Sequence, residues 1–456
     1  MIITKRLMGK AIATWLGPTG DAARRAVAEV KERVTGAPKQ LELYYDLAEP
    51  WSYLAAQVAS RLLAAYPVDF AFHAITPPAS DVDPFPQQRT KHAVRDALQL
   101  ADFYDLEFPG KREAETGAAR DVGTVLVRDR PAREQLQAAL ELGRAMWSND
   151  KPALAKLVGS WGHESHGAVA PILNANYADL RKAGHYMGAM LRYGGEWYWG
   201  VDRLRYLEAA LARDTGVPIA NVMHERPLAE RGPLAIAEPV AGKPAAPLRC
   251  ELWFSFRSPY SYLALEQIEA VLAPYSIPLT LRPVMPLLMR GAKMPTTKQM
   301  YIVRDVKREA DRLGIAFGEL CDPLGPGIEN AMALAHWADR RGALVAFAKS
   351  AMRGIWAEAR DVTEYVDLRY IVERAGLPWD EAREALGDPQ AALKWAQAAA
   401  TDLAVFGLWG VPSLKVGDFV AWGQDRLPML ADRLRRNASA AAPATASSPA
   451  GDSQGS

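Results

Sequence analysis

A serine at the start of a predicted helix is the group in this chain best placed for chemistry. The stretch from Cys250 to Leu265 reads CELWFSFRSPYSYLAL, which predicts a short buried strand followed by a helix. The helix begins with Ser258 as its N-cap and Pro259 at its first position. Such a junction places free backbone N–H groups and the positive end of the helix dipole beside the Ser258 hydroxyl. The sequence therefore predicts a site for an anion, including a thiolate.

A second candidate lies near the C-terminus, where Gly410-Val411-Pro412 immediately precedes a predicted hairpin strand. In the thioredoxin plan, which the order of elements below predicts, this position fits the cis-proline loop. Its cis X–Pro bond exposes the backbone of the preceding residue, so a ligand peptide could pair with Val411 as an extra strand. Simpler interpretations stay open: Ser258 as only an N-cap, Pro412 as a trans turn proline, and Asp425 as a cap of the last helix.

The stretch around Ser258 occurs a second time, earlier in the chain. Glu49-Pro50-Trp51-Ser52-Tyr53-Leu54 aligns with Ser258-Pro259-Tyr260-Ser261-Tyr262-Leu263, so that Glu49 falls under Ser258 at an offset of 209 residues. Arg95-Asp96 falls under Arg304-Asp305 at the same offset. Further on, the segment 199–204 falls under 422–427 at an offset of 223 residues. The matches predict an internal duplication of a whole domain.

Each half of the chain predicts the same succession of elements: a β-α-β unit, a helical insertion, a β-hairpin and a closing helix. The hairpins are predicted at Met190–Tyr193 with Glu196–Trp199 and at Ser413–Val416 with Phe419–Trp422. This is the plan of the thioredoxin fold, and the predicted fold class is α/β, with two tandem thioredoxin-like domains, each with an all-helical insertion. The predicted boundaries are a helical extension at 1–38, domains at 39–214 and 248–436, a Pro-, Ala- and Gly-rich linker at 215–247 and a disordered tail at 437–456.

Composition limits the classes of partner. The 54 basic and 53 acidic residues nearly balance, which gives no reason to expect nucleic acid or a membrane surface as partner. The chain has only two cysteines, Cys250 and Cys321, and no CxxC motif, so a disulfide framework, a zinc site or another metal centre is not expected. A reducing, cytoplasmic location follows from the same observation.

The motifs SPYSYL after a strand, WGVPS and WGQDRL occur in this order, and together they resemble the DsbA-like branch of thioredoxin folds. Within it, the sequence is similar to 2-hydroxychromene-2-carboxylate isomerases and kappa-class glutathione transferases, well over 248–436 and weakly over 39–213. The resemblance implies glutathione as cofactor, with Ser258 in place of the redox cysteine and hydrogen-bonded to the glutathione sulfur. Val411, before cis-Pro412, would pair with the cysteinyl part, and Asp425, with Gln424 beside it, would face the γ-glutamyl ammonium.

One departure from the family pattern lies after the second strand, where the family has a lysine followed by an asparagine. Here the segment reads MRGAKM over 289–294, so Arg290 or Lys293 would replace the lysine, and the asparagine is absent.

The expected chemistry is an isomerisation or transfer through a bound thiolate. A serine O–H and a helix N-terminus would stabilise the thiolate, which adds to a conjugated enone and is later eliminated. The substrate expected is a small, aromatic, α,β-unsaturated keto acid. Its apolar pocket is predicted from aromatic side chains, namely Tyr260, Tyr301, Trp409 and Trp422. Its carboxylate is predicted to bind basic side chains, namely Arg257, Lys298 and Arg304.

Two other functions stay open. A thiol–disulfide oxidoreductase is disfavoured, because exchange needs an attacking thiolate at the helix start and both copies lack a cysteine there. A non-catalytic thiol- or peptide-binding protein that uses the Val411-Pro412 edge is the other alternative.

The first copy is predicted to be inactive. Glu49 occupies the serine position, and its carboxylate would repel a thiolate, while the proline position falls on Ala189 or Met190. We therefore expect a degenerate domain that packs on the second one as a subunit would in a dimer, an intramolecular pseudo-dimer. Glu49 as a general base for another reaction is the alternative.

Overall fold

The computed structural model describes residues 2–17, 19–20, 22–24, 26–27, 30, 39–223, 247–387 and 389–441. Residues 39–223 are called the N-terminal lobe and residues 247–441 the C-terminal lobe. Of the predicted linker, 224–246 lies outside the described residues, as do 442–456 of the predicted tail and most of 18–38. No helix within the described ranges is long and apolar enough to cross a bilayer.

The N-terminal lobe follows a first helix, α1 (Ile2–Leu16). Its elements in chain order are β1 (Gln40–Asp46), α2 (Pro50–Ala65), β2 (Asp69–Ile75), α3 (Pro86–Phe103), α4 (Thr116–Leu126), α5 (Ala132–Trp147), α6 (Lys151–Trp161), α7 (His166–Ala183), β3 (Met190–Tyr193), β4 (Glu196–Trp199) and α8 (Leu204–Thr215).

The C-terminal lobe repeats the plan. Its elements are β5 (Cys250–Phe254), α9 (Pro259–Leu272), β6 (Leu279–Pro283), α10 (Thr296–Leu313), α11 (Pro326–Asp339), α12 (Leu344–Ala357), α13 (Tyr365–Arg374), α14 (Trp379–Ala385), α15 (Gln390–Val405), β7 (Ser413–Val416), β8 (Phe419–Trp422) and α16 (Leu427–Ala441). Both predicted hairpins have the bounds that the sequence indicated. The last helix, in contrast, continues through residues 437–441, which were predicted as disordered tail.

Each lobe has a four-stranded sheet of the same topology. The strand orders are β2-β1-β3-β4 and β6-β5-β7-β8. In each sheet the first two strands of the lobe pair in parallel and the hairpin strands pair antiparallel. The central strands carry large side chains that are fully buried, among them Tyr45 in β1 and Trp253 in β5. A single hydrophobic core includes side chains of both lobes, which shows that the lobes are packed together rather than joined as separate beads.

Arg203 of the N-terminal lobe is bound by two aspartates of the C-terminal lobe. Its guanidinium donates to Asp305 at 2.6–2.9 Å and to Asp425 at 2.9 Å. The arginine side chain is 5% exposed and that of Asp305 is 1% exposed, so this pair is removed from water. Removing one partner of such a buried ion pair leaves the other charge uncompensated, which strongly destabilises the folded state.

The reverse contact is made by Arg426 of the C-terminal lobe. Its guanidinium donates to Asp96 at 2.6 and 2.7 Å and to Asp202 at 2.9 Å. Under the repeat offsets, the three residues correspond one to one to the first network: Arg426 to Arg203, Asp96 to Asp305 and Asp202 to Asp425. The two lobes therefore meet through a self-complementary interface, as the subunits of a two-fold symmetric dimer do.

Further contacts repeat the same symmetry. The indole N–H of Trp51 donates to Asp96 at 2.8 Å, and at the corresponding position the hydroxyl of Tyr260 donates to Asp305 at 2.6 Å. The rings of Trp199 and Trp422, which also correspond, meet with their centroids 6.3 Å apart. Asp96 and Asp305, which anchor an arginine of the opposite lobe, are thus each held in place by an aromatic side chain of their own lobe.

We expect Arg426→Ala to destabilise the full-length chain by about 3–5 kcal/mol, because it leaves the buried carboxylate of Asp96 and the part-buried one of Asp202 without their partner. The measurement is denaturant-induced unfolding followed by circular dichroism. Adding Asp96→Asn to the variant removes one of the uncompensated charges and should restore part of the loss.

The matched control is Arg353→Ala, which removes an arginine that is 57% exposed and paired with Glu358. Its cost should stay below about 1 kcal/mol. Equal costs for the two variants would show that the buried network does not hold the lobes together.

Candidate functional site

Ser258 lies where the sequence placed it, at the N-cap of α9 with Pro259 at the first helical position. Its Oγ accepts the backbone N–H of Ser261 at 3.2 Å and donates to the carbonyl of Val411 at 3.3 Å. The hydroxyl therefore connects the helix start to a loop more than 150 residues away in the chain. The Ser258 hydroxyl therefore both caps α9 and contacts the proline loop.

The loop at Val411 is fixed on several sides. The Val411–Pro412 bond is cis, as the sequence predicted, and it is the one cis bond among the described residues. The Pro412 carbonyl accepts the N–H of Gly423 at 2.8 Å, and Arg290 donates to the carbonyl of Trp409 at 2.9 Å. Burial lowers the pKa of Arg290, the predicted substitute for the family's lysine. The structure thus brings Ser258, Val411, Pro412 and Arg290 together.

A cavity of about 90 Å³ lies next to this loop, between the lobes. Its lining from the C-terminal lobe includes Tyr260, Val411, Pro412, Trp422 and Asp425. Its lining from the N-terminal lobe includes Trp51, Leu54, Trp199 and Arg203. Residues of both lobes therefore border the space beside the proline loop.

Asp425 borders this cavity, but its carboxylate already has a partner. Arg203 donates to it at 2.9 Å. Burial raises the pKa of Asp425 to about 6 against the opposing effect of Arg203. Gln424 is 2% exposed and donates to Glu309 at 3.1 Å, so its side chain lies within the protein. An ammonium group at Asp425 would have to share the carboxylate with Arg203.

The predicted aromatic pocket is only partly assembled. Trp409 and Trp422 pack against each other with ring centroids 5.1 Å apart, and Tyr260 lies beside them at the cavity. Burial raises the pKa of Tyr260, and Tyr301 lies close enough to raise it further, but the Tyr301 ring packs edge-on against His185 of the N-terminal lobe at 4.6 Å. Of the four predicted aromatic residues, Tyr260 and Trp422 therefore line the cavity, while Trp409 and Tyr301 do not.

The predicted basic residues are also dispersed. Lys298 donates to the carbonyl of Val82 at 2.7 Å, and Arg304 donates to Glu196 at 2.5 Å, both in the N-terminal lobe. The physical reason is that α10 packs across the interface, so these side chains face the opposite lobe. Arg257 stays in its own lobe and forms a two-pronged pair with Asp322 at 2.7 and 2.8 Å. The structure does not place these three as one carboxylate clamp.

The corresponding helix of the N-terminal lobe, α3, brings two residues to the proline loop that the sequence did not indicate. His92 on α3 lies 6.1 Å from the ring of Trp409 and 6.2 Å from that of Trp422. Burial lowers its pKa to about 4, so the imidazole is neutral, and its Nε2 has no hydrogen-bond partner among the described residues. Arg95 contacts the carbonyl of Phe406 at 3.5 Å. The repeat offset was the available signal, since it places both residues under α10.

The equivalent position in the N-terminal lobe is a closed polar cluster. Glu49 is 2% exposed and is the N-cap residue of α2, yet its side chain does not cap the helix. It accepts from Arg89 at 2.8 Å and from the Ser52 hydroxyl at 2.8 Å. Arg89 also donates to Asp83 at 2.6 Å. The site that would face a thiol is filled by a carboxylate and its guanidinium partner.

The charge state of Glu49 follows from this surrounding. Burial raises its pKa to about 7, although Arg89 and the Ser52 hydroxyl favour the charged form, and the nearby Asp46 and Asp83 carboxylates raise it further. Residue 189, at the proline position, is an alanine with φ of 53° in this lobe. Neither half of the serine–proline pair is therefore present.

The two cysteines lie away from any helix start that could use them. Cys250 is buried within β5, and burial raises its pKa to about 12. Cys321 is also buried. Within the described ranges, no group of three or more histidine, cysteine or acidic side chains could hold a metal ion.

Comparison with known proteins places one lobe in a family. Residues 249–435 match the family model of the DSBA-like thioredoxin domain. A search of curated proteins found no match. The predicted duplication, which needs the same assignment for the N-terminal lobe, stays a prediction.

Several solved structures are similar to part of the chain. A probable DsbA oxidoreductase from Streptomyces coelicolor has 22% identity and a TM-score of 0.35, covering 43% of this chain and 92% of its own. A 2-hydroxychromene-2-carboxylate isomerase has 20% identity and a TM-score of 0.37, covering 42% and 99%. A putative protein disulfide isomerase from Nitrosomonas europaea has 14% identity and a TM-score of 0.34, covering 42% and 100%.

We expect the stability of the chain to fall as pH rises from about 4.5 to about 7, relative to Glu49→Gln. The folded-state pKa of Glu49 lies above its unfolded value, so the folded state binds this proton more tightly, and ionisation in that window costs stability. The amide keeps the neutral form at every pH. The gap between the two proteins should widen by up to about 3 kcal/mol over this range.

The measurement is the unfolding free energy of both proteins at a series of pH values. Glu134→Gln, at an exposed position in the first turn of α5, removes the same charge and should follow the wild type. A Glu49→Gln profile parallel to that of the wild type would show that Glu49 does not titrate in this window.

Proposed function

We propose that this chain, whose residues 249–435 form a DSBA-like thioredoxin domain, is a glutathione-dependent isomerase or transferase that acts at Ser258. The observation that carries the proposal is the hydrogen bond between Ser258 and Val411. It places a hydroxyl, rather than a thiol, where a helix N-terminus meets a cis-proline loop. A hydroxyl there can stabilise a bound thiolate but cannot form a disulfide.

The proposed role of Ser258 is to exchange its present acceptor for a sulfur. In the structure the hydroxyl donates to the Val411 carbonyl, and rotation about its side-chain bond would aim the same proton at a thiolate. The dipole of α9, a helix of 14 residues, favours negative charge at that point. Charge-assisted hydrogen bonds of this kind are stronger than neutral ones, so the bound thiol would ionise more readily than in water.

The reaction we infer conserves electrons. The glutathione thiolate adds to the conjugated carbon of an α,β-unsaturated keto acid, so a C–S bond forms and the C=C double bond becomes an enolate. Rotation about the resulting single bond follows, and collapse of the enolate then breaks the C–S bond and restores the double bond in the other geometry. The thiolate is regenerated, and no oxidant or reductant is consumed.

For the substrate we infer a composite pocket built from both lobes. Trp422 of the C-terminal lobe and Trp51 of the N-terminal lobe, which both line the interlobe cavity, would pack on an aromatic ring, with Trp409 and the neutral imidazole of His92 packed against Trp422. Arg95, rather than Arg304, is the basic side chain of this region. A carboxylate of the substrate would therefore contact the N-terminal lobe.

For glutathione we propose contacts along the proline loop. The backbone of Val411 would pair with the cysteinyl part, and Arg290, bound to the loop at Trp409, would contribute positive charge. Asp425 would meet the γ-glutamyl ammonium, in competition with Arg203. The N-terminal lobe is, in this proposal, a degenerate copy that completes the site instead of catalysing a reaction, and a cytoplasmic location is part of the same proposal.

A second candidate is a non-catalytic thiol- or peptide-binding protein. It is favoured by one observation: both hydrogen-bonding functions of the Ser258 hydroxyl are already used within the protein, by Ser261 and by Val411. Such a serine needs no substrate to explain it. Binding of glutathione without turnover would identify this function.

We expect Ser258→Ala to lower glutathione-dependent turnover of a hydroxychromene-type substrate by about 10²–10³-fold, because it removes the donor to the sulfur. The loss of the cap should cost about 1 kcal/mol of stability in the same variant. Ser258→Thr keeps the hydroxyl and should retain most of the activity. The measurements are steady-state kinetics and thermal unfolding.

Ser258→Asp separates capping from catalysis. Aspartate is a good N-cap, so stability should stay near that of the wild type, but its negative charge opposes a thiolate and activity should be lost. Turnover by the aspartate variant at the wild-type rate would show that Ser258 serves only the helix.

A further inference from the structure

A second interlobe cavity, on the side of α8 and the β3–β4 hairpin, has a volume of about 490 Å³. Among the described residues, seven basic side chains line it against three carboxylates, which are Glu196, Asp214 and Asp311. One of the basic residues is Arg24 of the N-terminal segment, and the others belong to the two lobes. We call this space the basic cleft. It is separate from Ser258 and from the proline loop, neither of which lines it.

The carboxylates of the basic cleft are shared among its cations. Glu196 accepts from Arg304 at 2.5 Å and from Arg308 at 3.3 Å. Asp214 binds both Lys39 and Arg213, the latter at 2.8 Å. Each of these two carboxylates thus pairs with two cations, and the described walls of the cleft keep an excess of positive charge. An anion entering the space would offset that excess.

Part of the wall is rigid before any ligand arrives. The guanidinium of Arg308 lies over the ring of Tyr198 at 5.1 Å and over that of Tyr206 at 5.2 Å. The Tyr206 hydroxyl donates to Glu309, which in turn accepts from Arg312 at 2.8 Å. Stacked and hydrogen-bonded arginines lose little freedom on binding, which favours recognition of phosphate oxygens.

The internal repeat supplies a comparison within the same molecule. On α3, the positions that correspond to Arg304, Lys307, Arg308 and Arg312 are Arg95, Leu98, Gln99 and Phe103. The positions that correspond to Glu196, Tyr198 and Tyr206 are Phe419, Ala421 and Met429. On the other side of the pseudo-symmetric interface, only one of these four helix positions carries a cation. The lobes therefore pack there without the other three, so packing alone does not explain the four cations on α10.

One pairing also differs between the two sides. Arg436 closes on Asp102 of the opposite lobe at 2.8 Å. The corresponding residues in the basic cleft are Arg213 and Asp311, and they bind other partners, Asp214 and Lys307. The interlobe bond that closes one side is absent among the described residues of the other, so Arg213 and Asp311 do not bridge the cleft.

We propose that the basic cleft binds a small soluble molecule carrying two or more adjacent phosphate groups, of the diphosphate class. The volume lies in the range of small-molecule sites, and arginines from opposite walls suit the several oxygens of such an anion. Because the walls come from both lobes, the bound anion would also link Arg213 of one lobe to Lys307 of the other.

The test uses the full-length chain and inorganic pyrophosphate as the probe, measured by isothermal titration calorimetry. We expect one saturable site per chain. The double variant Arg213→Gln/Lys307→Gln should weaken binding at least about 10-fold, because it removes one cation from each wall. The matched control, Arg353→Gln/Arg369→Gln, loses two cations that are 57% and 61% exposed on the C-terminal helical insertion and should bind within about 2-fold of the wild type.

Two further measurements keep the proposal testable. Pyrophosphate should raise the thermal unfolding temperature of the wild type above that in chloride of equal ionic strength, which needs no variant. Ser258→Ala should bind pyrophosphate as the wild type does, so failure of the proposed catalytic function leaves this site unaffected. The proposal is overturned by the absence of saturable pyrophosphate binding or by equal weakening of binding in the control variant.

Discussion

The structure depends on two buried arginines that exchange aspartate partners between the lobes. Arg203 and Arg426 occupy corresponding positions of the repeat, and each donates to two aspartates across the interface. Removing charges from water is costly, so such groups are tolerated only when geometry and hydrogen bonding are nearly complete. The network therefore fixes the relative position of the lobes more sharply than apolar packing alone would, since a small slip would leave several charges unpaired.

This fixed arrangement makes the candidate site a product of both lobes. Helix α3 carries His92 toward the tryptophans beside the proline loop, while α10 carries Lys298 and Arg304 away to the N-terminal lobe. A domain that folded alone would expose α10 on its own surface and would lack His92. The pairing of lobes thus decides which polar groups lie beside the proline loop and which serve the interface.

The repeat also shows how one backbone plan supports opposite electrostatics. At the start of α9 the Ser258 hydroxyl is neutral and leaves the helix dipole available to an anion. At the start of α2 the Glu49 carboxylate occupies that position and is stabilised by Arg89 rather than by the helix. The outer edges of the interface also differ: Lys307 and Arg308 with Tyr198 and Tyr206 on one side correspond to Leu98 and Gln99 with Ala421 and Met429 on the other. The two lobes can share one strand order and still differ in charge, because backbone pairing in the sheets does not depend on those side chains.

The sequence by itself determined the local parts of this protein. Both hairpins and the cap at Ser258 were predictable because each depends on residues a few positions apart. The cis bond at Val411–Pro412 was predictable because the order of elements matches the thioredoxin plan, which has a cis-proline loop at this position. The repeat offsets even paired Arg203 with Arg426 in advance. Only the tertiary structure decided the partners: Arg203 for Asp425, Arg89 for Glu49, and the N-terminal lobe for Lys298 and Tyr301. Arg89 and Glu49 meet within one lobe although 40 residues separate them in the chain, and the other contacts join the two lobes. No short-range sequence pattern encodes either kind of contact, because both depend on how distant elements pack.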